Sequence, residues 1–151
     1  MPPAGDEQHR LANPIIRDLM HYWEEHLDLI ADIDVNGWVA TSPDDDRIPD
    51  MVVYLAKSGV KPTRPDTVPD MIFEFVSESR ADQERDYIHK REEYERIGVK
   101  EYVIVDRLKS SVLVLSLKQR KFVDQALSRT RTHKSSLLPG FSLALREIFP
   151  D

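Results

Sequence analysis

One short pattern that occurs twice, at residues 48–54 and again at residues 68–74, restricts the possible folds of this chain more than any other part of it. Each copy has a proline, an aspartate and an apolar, β-rich run, and the second ends in Glu74 where the first has Tyr54. Proline is tolerated at a strand entrance, so the pattern predicts two sheet strands that carry acids. Because a lone carboxylate is costly to bury, we expect each acid to have a partner: a metal ion, a lysine or solvent.

Strand geometry decides which of these acids can act together. Asp70 and Glu74 lie four residues apart on one strand face, a separation of about 13 Å, so they cannot share one metal ion. If residues 51–55 and 71–76 pair as an antiparallel hairpin, the start of the first strand meets the end of the second. Asp50 then faces Glu74, and Asp70 lies at the opposite end of the pair.

The first part of the chain predicts a helix followed by an interrupted strand. Asn13-Pro14 is typical of an N-cap followed by proline at the first helical position, and a helical apolar period then continues to Ile30. Residues 33–40 favour a strand interrupted by the Asn36-Gly37 turn signal, which predicts a hairpin or a bulged strand. Residues 42–47 read as a loop.

The second half predicts one more helix and several strands. A cap within residues 79–82 begins a helix that ends before Gly98 at the C′ position. Later strands are predicted at 101–105, 111–117, 121–126 and 130–133, with a final helical turn at 143–149. This order predicts an α/β or α+β fold, a mixed sheet flanked by helices, and the length of 151 residues fits a single domain spanning 1–151.

Lys90 is the candidate third member of a site with the two facing acids. It lies within roughly 60° of Tyr87 and of Tyr94 around the predicted helix, which puts it on the buried side. Two acids and a lysine at a strand end can hold Mg²⁺ or Mn²⁺ and direct water at a phosphodiester. The alternative is a structural ion pair of Lys90 with Asp86 or Glu93, and spacing alone favours that alternative.

Charge is distributed unevenly along the chain. The net charge is −6, which by itself disfavours a nucleic-acid partner, but residues 107–136 hold eight basic residues and one acid, a local net charge of +7. An anionic partner and ordinary protection of strand edges by basic side chains explain this equally well. The candidate nucleic-acid contacts are Lys118, Arg120, Lys121, Arg129 and Arg131.

Composition limits the remaining chemistry. The chain has no cysteine, which excludes disulfides and thiolate metal sites, so a metal would have oxygen or imidazole ligands. No apolar run approaches ~20 residues and the start lacks a signal-peptide core, so we expect a cytoplasmic protein with no membrane partner. The five histidines are scattered and no phosphate-cradling glycine loop is present.

Several stretches together resemble one family. Nearly the whole chain from His9 onward is similar to the Uma-type restriction endonuclease family, a branch of the PD-(D/E)XK nuclease superfamily. The matching stretches are Ile48-Pro49-Asp50-Met51-Val52-Val53, Pro69-Asp70-Met71-Ile72-Phe73-Glu74-Phe75-Val76-Ser77, Lys90-Arg91-Glu92-Glu93-Tyr94, Gly98-Val99-Lys100-Glu101-Tyr102-Val103-Ile104-Val105-Asp106 and, more weakly, Leu138-Pro139-Gly140-Phe141. Each is weak alone, and their combination is specific for the family.

The resemblance implies a restriction-endonuclease-like fold and a Mg²⁺- or Mn²⁺-dependent endonuclease that cuts DNA. It implies that Asp50 and Glu74 are metal ligands, with Asp70 a supporting residue or an alternative ligand. Where the superfamily has lysine two residues after the acid, this sequence has Val76, and Lys90 resembles a migrated replacement. We also expect a homodimer. Tyr94 is interpreted as a core residue.

One departure from the family pattern concerns the start of the chain. Family members usually begin with a helix and a Glu-Leu-Ile-Asp-Gly-Glu type stretch, and we expect this chain to lack that segment. Glu7, Glu24 or Glu25 are candidate substitutes for its acid. A shortened member with weak metal binding is therefore an alternative: a nuclease-fold module that binds nucleic acid or protein without turnover. A homodimeric scaffold with structural ion pairs is a further one.

Overall fold

A six-stranded mixed β-sheet forms the centre of the protein. The computed structural model describes residues 4–59, 67–76 and 80–149, with backbone only for 4–13 and 80–86. The helices are α1 (Ala4–Glu25), α2 (Arg80–Ile97) and α3 (Leu145–Ile148), a 3₁₀ turn covers Ala56–Ser58, and the strands are β1 (Ile30–Val35), β2 (Val39–Ala40), β3 (Asp46–Arg47), β4 (Met51–Leu55), β5 (Met71–Val76), β6 (Glu101–Asp106), β7 (Ser111–Lys118), β8 (Lys121–Ser128), β9 (Thr132–Lys134) and β10 (Ser142–Ala144). The predicted α/β fold with a mixed central sheet is confirmed.

Strand direction in the sheet follows from the connections. The strand order is β1-β4-β5-β6-β7-β8, and all neighbouring pairs are antiparallel except β5 and β6, which are parallel. A parallel pair needs a long crossover, and α2 provides it between the two strands. Because every residue of β4 and β5 is buried, these two strands form the middle of the core.

The two faces of the sheet have separate apolar cores. One face packs against α1, α3 and the β9–β10 ribbon, through residues that include Ile15, Leu19, Phe73, Val103, Leu143 and Ile148. The other face packs against α2 and the β2–β3 ribbon, through Val39, Val52, Ile72, Tyr94, Tyr102 and Ile104 among others. Glu74 alternates with Ile72 and Val76, so it lies on the α2 face.

The predicted hairpin of β4 and β5 is confirmed. Met51 pairs with Phe73 and Val53 pairs with Met71 in antiparallel register. The next pair beyond Met51 and Phe73 is Asp50 and Glu74, as expected. Part of the connection between these strands lies outside the described residues.

The predicted start of the first helix is wrong. Helix α1 begins at Ala4 and ends at Glu25, so Pro14 lies inside the helix. An internal proline removes one backbone hydrogen bond and disfavours the helix locally. The apolar stripe that begins at Ile15 and continues at Leu19 is fully buried against the sheet, and this tertiary packing outweighs the local cost.

The predicted hairpin within residues 33–40 is also wrong. Strand β1 ends at Val35, and Asn36 follows with a left-handed φ of 56°. The chain after the turn does not fold back on β1, because β1 pairs with β4 and β2 pairs with β3. The irregularity in β1 lies between Ile30 and Asp32, ahead of the turn signal.

The C-terminal half is close to the prediction, with shifted limits. Helix α2 ends at Ile97, and Gly98 follows with φ of 90° and donates its N–H to the Tyr94 carbonyl, as expected for a C′ glycine. The last predicted helical segment is in fact strand β10 followed by the short helix α3. Within the described part of the chain, no helix is long and apolar enough to cross a membrane.

Candidate functional site

Asp50 and Glu74 lie next to each other where β4 begins and β5 approaches its end. An Asp50 Oδ2 atom accepts a hydrogen bond of 2.7 Å from the backbone N–H of Phe75, the residue after Glu74. The half-buried Asp50 carboxylate is therefore fixed beside the end of β5. The structure brings together the two acids that the strand geometry had predicted to face each other.

Glu74 is more deeply buried than Asp50, with 6% of its surface exposed. Lys90 Nζ lies 3.2 Å from each of its carboxylate oxygens, and the Tyr102 hydroxyl donates a hydrogen bond of 2.7 Å to Oε2. Burial raises the pKa of Glu74, Lys90 and Tyr102 oppose that rise, and the nearby Asp50 charge adds to it. Glu74 thus combines a costly environment with two partners that favour its charged form.

Helix α2 places Lys90 over the sheet. Lys90 and Tyr94 are one turn apart on the face that the helical period predicted to be buried. Glu93 does not pair with Lys90, because it forms a two-point ion pair with Arg47 of β3 at 2.8 and 3.0 Å. The side chain of Asp86 lies outside the described residues.

Charged contacts also attach α2 to β8 on the opposite flank. Arg91 forms a two-point ion pair with Asp124, and Glu95 accepts the backbone N–H of Phe122 at 2.7 Å. Lys121 lies 3.7 Å from the Glu95 carboxylate. Since Tyr94 is the one fully buried side chain among the described residues of this helix, these contacts contribute much of what positions Lys90.

Two tyrosines line the site beneath Lys90. The rings of Tyr94 and Tyr102 meet edge to face, with 4.9 Å between their centroids. Burial and the Glu74 charge raise the pKa of Tyr102 well above its ordinary value, so its hydroxyl stays a donor. Burial raises the pKa of Tyr94, and the charges of Glu74 and Asp50 add to this. Sequence reasoning overlooked Tyr102; a tyrosine in an apolar strand, whose hydroxyl needs a polar partner, was the available signal.

The donor set is compatible with a hard divalent cation. Carboxylate oxygens are what Mg²⁺ and Mn²⁺ prefer, and Mg²⁺ usually keeps several waters when one or two carboxylates bind it. Among the described residues, no group of three or more His, Asp or Glu side chains has metal-site geometry. The two carboxylates nevertheless offer oxygen ligands, and the buried Tyr94 hydroxyl, which has no hydrogen-bond partner among the described residues, is a polar group that a hydrated ion could satisfy.

Asp70 lies away from the other two acids, near the start of β5. Its carboxylate accepts hydrogen bonds of 2.7 Å from the Leu55 backbone N–H, from the Ser58 hydroxyl and from Lys100 Nζ. The predicted position near the end of β4 is confirmed. The structure does not bring Asp70 to Glu74, and its contacts hold the end of β4 and the start of β6 together.

The predicted basic residues form two groups. Lys118 and Lys121 are cross-strand partners at the β7–β8 turn, and Arg120 lies in that turn. Arg129 and Arg131 follow the other end of β8, and a strand of this length separates the groups by roughly 23 Å. All except the half-buried Arg129 are exposed.

The acids suggested as substitutes from the N-terminal region do not join the site. Glu24 and Glu25 are exposed at the end of α1, where both lie near His21, and α1 packs on the other face of the sheet. The side chain of Glu7 lies outside the described residues.

Comparisons with known proteins agree with this architecture. A comparison with curated proteins finds no match. The crystal structure of a putative nuclease belonging to DUF820 from Anabaena variabilis superposes with a TM-score of 0.69 at 12% identity, covering 95% of this chain and 80% of that one. At this identity the likeness shows a shared fold. The sequence profile of the Uma2 family, described as putative restriction endonuclease, matches residues 1–146. The resemblance inferred from the motifs is confirmed, and the chain belongs to the Uma2 family.

Proposed function

We propose that this chain is a divalent-cation-dependent nuclease that hydrolyses DNA phosphodiester bonds. The single observation that carries the proposal is the environment of Glu74: a buried carboxylate that faces Asp50 and is contacted on both oxygens by Lys90. Asp50 and Glu74 would hold Mg²⁺ or Mn²⁺. Perturbed ionisable groups in such clusters are typical of functional sites.

Each residue of the site has a distinct task in this proposal. A bound cation would supply Lewis acidity and offset negative charge on the phosphodiester. Lys90 contributes a positive charge that stabilises the developing transition state and helps to orient the attacking water. Tyr102 fixes one oxygen of Glu74 by hydrogen bonding, and the surrounding apolar face of the sheet limits the access of bulk water.

The basic residues outside the site are the proposed contacts for DNA phosphates. Exposed lysine and arginine side chains at both ends of β8 suit a long anionic partner. We propose that the β7–β8 turn and the segment after β8 contact separate phosphates of one substrate, and that the protein acts as a homodimer. Light scattering in solution measures the oligomeric state directly.

The central test is Mn²⁺-dependent cleavage of plasmid DNA by Asp50→Ala and Lys90→Ala. Both variants are expected to lose cleavage while circular dichroism shows an intact fold. Asp44→Ala and Lys109→Ala remove exposed side chains of the same types and serve as matched controls that keep activity. A double variant Asp50→Ala/Lys90→Ala that cleaves as fast as wild type would remove the proposal.

A second candidate function is a module that binds nucleic acid or protein without turnover. Two observations favour it: no third carboxylate joins Asp50 and Glu74 among the described residues, and Lys90 already forms an ion pair with Glu74. In that case wild-type protein binds DNA in a gel-shift assay and Mn²⁺ produces no cleavage. If wild type cleaves DNA and Lys90→Ala does not, the nuclease is the correct alternative.

A further inference from the structure

Tyr94 has a buried hydroxyl group that the protein does not satisfy. The residue has 0% of its surface exposed, and its hydroxyl has no hydrogen-bond partner among the described residues. Tyr22 and Tyr102, which are also buried, donate to the Pro139 carbonyl and to Glu74. Unsatisfied buried donors are rare in native proteins, because burial removes their hydrogen bond to water and nothing replaces it. The Tyr94 hydroxyl therefore requires an explanation.

The position of Tyr94 connects it to the acidic pair. It lies one helical turn after Lys90, and its ring contacts the ring of Tyr102, whose hydroxyl binds Glu74. The charges of Glu74 and Asp50 both act on the Tyr94 hydroxyl and disfavour its ionisation. The hydroxyl is therefore a neutral donor within electrostatic range of both carboxylates.

The two carboxylates that act on Tyr94 already have donors of their own. Both Glu74 oxygens are contacted by Lys90, one of them also by Tyr102, and Asp50 accepts the backbone N–H of Phe75. Tyr94 donates to none of these oxygens and to no other group among the described residues, so a bound ligand would supply the missing acceptor. An oxygen on a small hydrated or anionic ligand has the required chemistry.

We propose that the Tyr94 hydroxyl donates a hydrogen bond to an oxygen of the ligand that binds between Asp50 and Glu74. This oxygen belongs either to water that enters with a divalent cation or to a phosphate group. The proposal deepens the proposed function and rests on it. It changes the interpretation of Tyr94 from a core residue to a ligand-binding residue whose ring packs in the core.

Removing the hydroxyl separates these two interpretations. Tyr94→Phe keeps the ring and its contact with Tyr102 and removes the unsatisfied donor, so the metal-free protein is expected to melt at the same or a higher temperature. Tyr22→Phe is the matched control: its hydroxyl donates to Pro139 at 2.7 Å on the opposite face of the sheet. That variant is expected to melt at a lower temperature.

Isothermal titration calorimetry with Mn²⁺ alone, and with orthophosphate in the presence of Mn²⁺, supplies the second readout. Tyr94→Phe is expected to weaken binding about fivefold, the effect of one typical hydrogen bond, while Tyr22→Phe leaves affinity unchanged. Weakening in the Mn²⁺ titration assigns the acceptor to water, and weakening with orthophosphate alone assigns it to phosphate. Unchanged affinity of Tyr94→Phe in both titrations overturns the inference, whatever its melting temperature.

A Glu74→Gln variant separates this inference from the proposed function. If wild type does not bind Mn²⁺, the proposed function fails and the inference fails with it. The inference alone fails if three results occur together: wild type binds Mn²⁺, Glu74→Gln does not, and Tyr94→Phe binds as tightly as wild type. If Glu74→Gln binds Mn²⁺ as tightly as wild type, Glu74 is not a metal ligand and the proposed metal site is wrong.

Discussion

Replacing Lys90 by methionine tests the electrostatics of the site without any ligand. The change removes the only cation within ion-pairing distance of Glu74 among the described residues, and methionine keeps most of the side-chain volume. Breaking a fully buried ion pair costs about 3–5 kcal/mol. Here the Lys90 side chain is 23% exposed and Tyr102 still donates to Glu74, so we expect the free energy of unfolding to fall by about 2 kcal/mol at pH 8.

The loss is expected to depend on pH in a defined direction. Burial already raises the folded-state pKa of Glu74 above 4.5, its unperturbed value, and loss of Lys90 raises it further. An acid whose folded pKa is raised destabilises the fold as pH increases from the unfolded pKa through the folded one. The difference between wild type and Lys90→Met is therefore small near pH 4.5, where Glu74 is largely protonated in the variant, and largest above the raised pKa.

Urea denaturation at pH 5 and pH 8 measures both effects. A double-mutant cycle with Glu74→Gln isolates the pair, because Lys90→Met should cost little once the carboxylate is gone. Lys109→Met, at an exposed position, is the control for removing a lysine. The reasoning is refuted if Lys90→Met loses the same stability at both pH values, or if it costs as much in the Glu74→Gln background.

Two other predictions concern parts of the fold away from the site. Asp70→Asn replaces a carboxylate oxygen, which accepts hydrogen bonds, by an amide group that would face a donor, and it weakens the pair with Lys100. We expect the free energy of unfolding, measured by urea denaturation, to fall by about 2–3 kcal/mol while Mn²⁺ affinity is unchanged. A changed Mn²⁺ affinity would indicate that Asp70 is a metal ligand. Gly37→Ala would put a Cβ atom 2.5 Å from Val52 Cγ2, and we expect the free energy of unfolding to fall by about 1–3 kcal/mol. Equal stability of Gly37→Ala and wild type in urea denaturation contradicts this close contact.

The facing acids could be predicted because strand geometry leaves little freedom. Once two neighbouring strands pair antiparallel, the residue before the first must approach the residues near the end of the second, and Asp50 meets Glu74 for this reason. The equally regular helical period put Lys90 on the buried side of α2, but spacing alone favoured a pair with Asp86 or Glu93, and the family resemblance was needed to join Lys90 to the two acids. Only the facing of the acids needed no more than local geometry and one correct choice of strand partners.

Contacts that depend on the packing of distant elements could not be predicted in the same way. Arg47 and Glu93 are 46 positions apart, and nothing in either segment indicates that β3 lies beside α2. The charge count over residues 107–136 gave no positions in space: Lys121 lies near Glu95, while Arg129 is at the far end of the strand. The early start of α1 was likewise not predictable, because Asn13-Pro14 is a start signal and the helix begins at Ala4, ahead of it.

The attachment of α2 by charged side chains has a consequence for protein engineering. By residue type alone, Arg91, Glu93 and Glu95 look like ordinary surface charges, suitable for changes that improve solubility or crystal contacts. In the folded protein they bind β3 and β8, and Glu95 even accepts a main-chain N–H. Redesigning this surface by composition alone would therefore weaken the attachment of the helix that carries Lys90, and substitutions that look purely cosmetic would shift Lys90 relative to Glu74.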